Sequence, residues 1–281
     1  MNKTIKIIWD VAWYLIVFIL LQILVQFATE AIDLSASGKN ASEVIATLRN
    51  GWLPSPMNVI VSTVISSLLT IAIFFWRKWT PYSRSYIAMR PWLTLVWIAV
   101  ATVGTLIPSI WMQEMLEMDM PDYLEKMFIG IMSEPLGYVV IGILAPFVEE
   151  VVFRGAILRR LLEVMGEKWH WVAILISAIL FGCVHGNLPQ FVHAVLLGLL
   201  LGWMYYRTDS IVPGVVLHWV NNTIAYVVTN LMPGMEDAKL IDLAGGSQMR
   251  VYLWVAFSLC ILLPALFQLN MRLPLKSQKK G

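Results

Sequence analysis

Long apolar stretches, each about as long as a bilayer core is thick, alternate along this chain with short charged connections. A membrane span takes about 20 mainly apolar residues, and by that measure about eight helices are predicted. They fall near 8–29, 56–76, 91–111, 135–158, 169–187, 190–206, 211–231 and 250–269. The fourth is expected to continue as a helix to residue 164, because Arg159, Arg160 and Glu163 read as a wetted extension. The opening apolar stretch, 7–28, is longer than the roughly 7–15-residue core of a signal peptide and is followed by no small-residue cleavage site. It reads as the first span. Residues 41–48 are predicted to form a short surface helix. Residues 111–132 are acidic, Met-rich and partly apolar, and are expected to lie along the outer interface or to form a lid.

Composition points the same way. Of 281 residues, 59% are hydrophobic and 14% charged, and the mean hydropathy is +0.73. Soluble domains carry about 25% charged residues. The expectation is an all-α polytopic membrane protein, one membrane domain over 1–281 with its motif-bearing core at 135–231 and a mid-membrane polar cavity. The formal charge of +2 gives no ground for a nucleic-acid partner. Cys183 and Cys260 both fall in predicted spans, so free, buried thiols are expected rather than a disulfide.

Charge in the connections sets the orientation. Arg77, Lys78, Arg84 and Arg90 fill the second connection, Arg159, Arg160 and Lys168 the fourth, Arg207 the sixth, and Arg272, Lys276, Lys279 and Lys280 the tail. Glu114, Glu117, Asp119, Asp122 and Glu125 fill the third, and Glu236, Asp237 and Asp242 the seventh. The positive-inside rule then gives cytoplasmic N- and C-termini, in keeping with a bacterial plasma membrane. Trp79, Trp92, Trp111, Trp169 and Trp171 fall near span ends, where they read as interface anchors.

Against this background Glu149 and Glu150 stand out. Ionisable residues within membrane segments are costly and usually mark a functional site. Phe181-x-x-x-His185 and His218-x-x-x-Asn222 follow in equally apolar surroundings. Helical spacing lets Glu150 and Arg154 form an intrahelical ion pair, which leaves Glu149 facing the cavity with Val152 and Phe153. Glu149 precedes the turn at Gly166 by 17 residues and His185 follows it by 19, so antiparallel packing would bring their depths within roughly 5 Å. His218 and Asn222 share one helix face, roughly 15–22 Å from the connection at Arg207.

One pocket could therefore hold an acid and an imidazole to activate water, with His218 and Asn222 as oxyanion donors. The same residues would also serve a polar packing network or a proton or ion carrier. Zinc held by His185 and His218 with a carboxylate is a further option, although no His-Glu-x-x-His helix is present; a metal-free site without cofactor is preferred. His170 reads as interfacial. His193, two turns from His185, could line the same cavity. Gly198 and Gly202 suit close helix packing.

Glu149-Glu150-Val-Val-Phe-Arg154, Phe181-Gly-Cys-Val-His185 and His218-Trp-Val-Asn-Asn222, in this order, resemble the CPBP family, the CAAX prenyl proteases and bacteriocin-processing (Abi) proteins. The resemblance covers about residues 140 to 225. It implies an eight-helix intramembrane endopeptidase acting on membrane-associated or lipidated peptides. Glu149 and His185 would activate the hydrolytic water, His218 and Asn222 would stabilise the oxyanion, and Glu150 and Arg154 would support the site. Some members act as binding regulators without proteolysis, so a scaffold for another membrane protein is the alternative function, with a proton-coupled transporter behind it.

Overall fold

The computed structural model describes residues 3–50, 53–232 and 238–273, with side chains from residue 5. Glu236, Asp237, Lys276, Lys279 and Lys280 lie outside the described residues. All regular structure among the described residues is helical. Five helices are long and apolar enough to cross a membrane: α1 (Lys3–Ala36), α3 (Pro56–Trp76), α5 (Trp92–Met115), α10 (Leu188–Thr208) and α13 (Gln248–Arg272). The chain is an all-α integral membrane protein. Between them run α2 (Ala41–Arg49), α4 (Arg84–Ala88), α6 (Asp122–Ser133), α9 (His170–Cys183), α11 (Val212–Leu231) and α12 (Leu240–Leu243), with the segment 139–165 carrying α7 (Ala145–Glu149) and α8 (Arg159–Met165).

The helix expected at 41–48 is α2, which begins with a capping box. Asn40 accepts from the Glu43 amide, and the Glu43 carboxylate accepts from the Asn40 amide, so two orphan donors of the first turn are satisfied. Three pairings organise the long helices: α1 against α3, α5 against α13, and α9 against α10. Polar side chains hold α1 to α3, with Gln26 and Thr29 donating to Asn58 at 3.1 and 2.9 Å and Ser62 bonded to Gln26. Such bonds across helices replace the hydrophobic drive that lipid does not supply. Small residues set the closest approach of α10 to α9. A Cβ on Gly198 would lie 2.9 Å from that of Ala178, and one on Gly202 would lie 2.8 Å from Ile174.

Helix 139–165 departs from regular geometry. Residues Val139–Leu144 and Glu150–Leu158 form wide π-helical turns on either side of α7. Hydrogen bonds spaced by five residues loosen the carbonyls on one face, and in a membrane those groups need partners within the protein. They have them: Thr80 donates to the Val151 carbonyl at 2.7 Å and Ser177 to that of Phe153 at 3.0 Å. Arg159 donates to the carbonyls of Gly155 at 3.1 Å and Trp79 at 2.8 Å.

Two expectations need correction. The fifth predicted span, 169–187, is shorter as a helix. α9 has 14 residues, about 21 Å, against a hydrocarbon core of about 30 Å. It ends where Gly186, at φ +70°, turns the chain into Asn187, the N-cap of α10. The cysteines are free as expected but exposed rather than buried. Both lie on outward faces of helices that are apolar all round, where hydropathy does not separate inside from outside.

The structure gathers the connections into two ends. Arg159 reaches Trp79 in the second connection, while Arg160 pairs with Asp10 at 2.7 Å. At the other end the Leu240 amide donates to Glu114 at 2.6 Å, joining the third and seventh connections. Trp92, Trp169 and Trp171 are exposed, as interface anchors would be, whereas Trp79 packs edge-on to Phe74.

Candidate active site

The two acids are adjacent in sequence but differ in environment. Glu150 is fully buried and accepts from Arg154 Nη1 at 2.9 Å, an i,i+4 pair in which Arg154 is 1% exposed. Arg154 Nη2 also reaches the Gly198 carbonyl at 3.4 Å, and the guanidinium lies 4.4 Å from the ring centre of Phe181. A delocalised cation over an aromatic face loses less by desolvation than an ammonium would, which suits arginine here. Gly214 of α11 is required by this buried pair. A Cβ there would lie 2.4 Å from Glu150 Oε2. Gly214→Ala is therefore expected to push the carboxylate off Arg154 and lower thermal stability in detergent by about 1–3 kcal/mol; unchanged melting would refute that contact.

Glu149 is only partly buried and points into a cavity of about 430 Å³. His185, His193, His218, Asn221 and Asn222 line the same space. His218 stands between the acids, its Nε2 3.6 Å from Glu149 Oε2 and its Nδ1 3.6 Å from Glu150 Oε1. Helical spacing predicts the face that His218 occupies but not this place between two carboxylates, which follows from how α11 crosses helix 139–165.

The turn after α9 fixes the tautomer of His185. Its Nδ1 lies 2.9 Å from the Phe181 carbonyl, which can only accept, so in the neutral ring Nδ1 carries the proton and Nε2 the lone pair. Phe181 meets the rings of His185 and His218 edge-on, at 5.1 and 5.7 Å. One aromatic side chain thus spaces both imidazoles and receives Arg154 on its face.

Asn222 is held by its neighbours. Its Nδ2 donates to the Ile141 carbonyl at 2.9 Å, and its Oδ1 accepts from Asn221 at 3.1 Å. An amide carries two N–H groups, so one remains for a ligand. His193 bonds Ser109 through Nδ1 at 2.8 Å. His170 lies elsewhere, stacked on Tyr206 at 4.2 Å.

The structure thus brings Glu149, His185, His218 and Asn222 to one cavity and sets Glu150 and Arg154 behind it. The carbonyl-locked tautomer and the Asn221–Asn222 contact have no motif of their own. Gln113, Met120 and Phe128 of the third connection also line the cavity; the acidic, Met-rich character of that segment was the only sign of them. Zinc would need a third ligand beside His185 and His218. Among the described residues, no group of three or more His, Cys, Asp or Glu side chains is disposed to hold a metal ion.

Fold and site together define a helical membrane protein with an acid–imidazole–amide pocket. Residues 132–224 match the family model described as Type II CAAX prenyl endopeptidase Rce1-like. The chain is similar to the putative membrane peptidase YdiL of Bacillus subtilis (strain 168), 31% identical over 98 residues, 35% of this chain and 39% of that protein. It thus matches well under half the length of that relative. No solved structure matches it. Over this segment and its motifs, the chain is similar to Rce1-like endopeptidases and to that membrane peptidase.

Proposed function

We propose that this protein is an intramembrane endopeptidase that hydrolyses membrane-associated or lipidated peptides in a bacterial plasma membrane, with both termini cytoplasmic. The observation that carries the reading is the shared cavity: a carboxylate, two imidazoles and an amide, in a segment that matches an Rce1-like peptidase model. Glu149 takes a proton from water while the lone pair of His185 Nε2 holds the second hydrogen. The hydroxide oxygen bonds to the scissile carbonyl carbon. His218 and the remaining N–H of Asn222 donate to the oxyanion that forms. Glu149 then returns its proton to the amide nitrogen, the C–N bond breaks, and a carboxylic acid and an amine leave, the acid passing its remaining proton to the amine in water.

The buried Glu150–Arg154 pair supports this step from behind. It keeps a fixed charge below His218 and occupies Arg154, which leaves the Glu149 carboxylate free to take a proton from water.

The decisive assay is cleavage of membrane peptides by purified protein in proteoliposomes. Asn222→Ala is expected to lower turnover by about 10²–10³-fold. Turnover equal to the parent would remove Asn222 from the oxyanion role. Because the proposed step uses no metal, cleavage is expected to survive chelation with phenanthroline. Loss on chelation with recovery on added zinc would replace the metal-free step. A scaffold would instead keep its function in Glu149 and His185 variants, and a proton-coupled transporter would move solute along a pH gradient and release no product.

A further inference from the structure

The cavity that holds Glu149 has a direction. Its walls come from α7, the α9 turn, α10 and α11, and its remaining side is closed by Gln113, Met120 and Phe128. Among the described residues, no side chain of the basic connections lines it. Met120 and Phe128 are shared with a neighbouring space of about 370 Å³. Gln113 and Met120 are shared with another, of about 510 Å³, bordered by Glu114, Glu117 and Asp119. Three adjacent spaces, sharing these side chains as walls, thus lie between Glu149 and the acidic end of the molecule.

The short α9 makes the same arrangement from below. It starts beside Lys168, at the basic end, and stops about 21 Å on, so His185 sits in a turn after a helix shorter than a full span. The room left beyond that turn is taken by the cavity and by the third connection. Helix α6 and its approach cover the opening with Met120 and Phe128, while Glu125 and the acids before it line the two neighbouring spaces.

Resting on the peptidase reading above, we infer that the peptide enters from the acidic, extracytoplasmic end of the molecule, past Met120 and Phe128, which contact the chain beside the scissile bond. The substrate is therefore the outer end of a membrane segment, or a peptide that reaches the membrane from outside. A cytoplasmic tail would have to cross the packed end formed by Arg159, Trp79 and Arg160. The cleavage-site residue nearest the doorway is apolar, as the side chains of Met120 and Phe128 require.

The test uses the full chain with Cys183 and Cys260 replaced by serine, and one new cysteine at a time: Phe128→Cys, Met120→Cys, or Arg84→Cys at the basic end. A membrane-impermeant maleimide is applied to right-side-out and to inside-out vesicles, and the mass shift is read before the cleavage rate. Phe128→Cys and Met120→Cys are expected to label from the face opposite to Arg84→Cys, with cleavage falling to background once labelled. Labelling from the same face as Arg84→Cys overturns the entry side. Labelling from the opposite face with cleavage unchanged overturns the doorway. The unlabelled parent, assayed in the same vesicles, tests the peptidase reading separately, because the mass shift needs no activity.

Discussion

Glu149→Gln is expected to lower peptide cleavage by about 10²–10⁴-fold while the protein still folds in its membrane. Glutamine keeps the size of the side chain and removes the group that takes the proton. The fold should tolerate the change because Glu149 does not hold Arg154; Glu150 does, at 2.9 Å. Glu149 also faces a cavity, so a neutral amide there is not forced into an apolar contact. The measurement is the initial cleavage rate in proteoliposomes, beside the melting temperature in detergent. A rate within twofold of the parent would end the assignment of Glu149 as base. The pairing of a large loss of rate with unchanged melting separates chemistry from folding.

Arg154→Met is expected to do the opposite, with a large effect on stability. Removing one partner of a buried ion pair leaves the other charge without compensation, which costs about 3–5 kcal/mol. Here the stranded group is Glu150, with 0% exposure, and the loss extends to the contact with Phe181 and to the Gly198 carbonyl. The double variant Glu150→Gln with Arg154→Met removes both charges and is expected to recover much of that loss. Unfolding by detergent titration reads both variants. An Arg154→Met protein as stable as the parent would mean that Glu150 is not charged in the fold.

Helical period and spacing carry a good part of this arrangement. The i,i+4 spacing of Glu150 and Arg154 gives an ion pair, and adjacency then sends Glu149 to another face. The turn at Gly166 brings helix 139–165 and α9 side by side, which is why Glu149 and His185 can reach one cavity from opposite directions along the chain. Asn40 and Glu43 specify the start of α2 through local hydrogen bonds alone.

Other features depend on contacts between distant segments. The π-helical turns around Glu149 carry no period that distinguishes them from an α-helix. They are set by Thr80 and Ser177, which supply donors from other helices. α9 reads as a full span because Val184 is as apolar as the helix before it, and only the left-handed Gly186 ends the run. The place of His218 between two carboxylates follows from the crossing of two helices. The exposure of Cys183 and Cys260 follows from lipid being as apolar as the protein interior, so burial leaves little trace in the sequence.

The proposed chemistry rests on a water molecule delivered to a peptide carbonyl by Glu149, and heavy-oxygen water reads that step directly. Purified parent and Glu149→Gln protein, each in liposomes with a membrane peptide, are incubated in it and the products weighed. The parent is expected to release a product carrying one heavy oxygen in its new carboxyl group, while the variant releases none above background. Cleavage by both at equal rate, or by neither, would contradict the account.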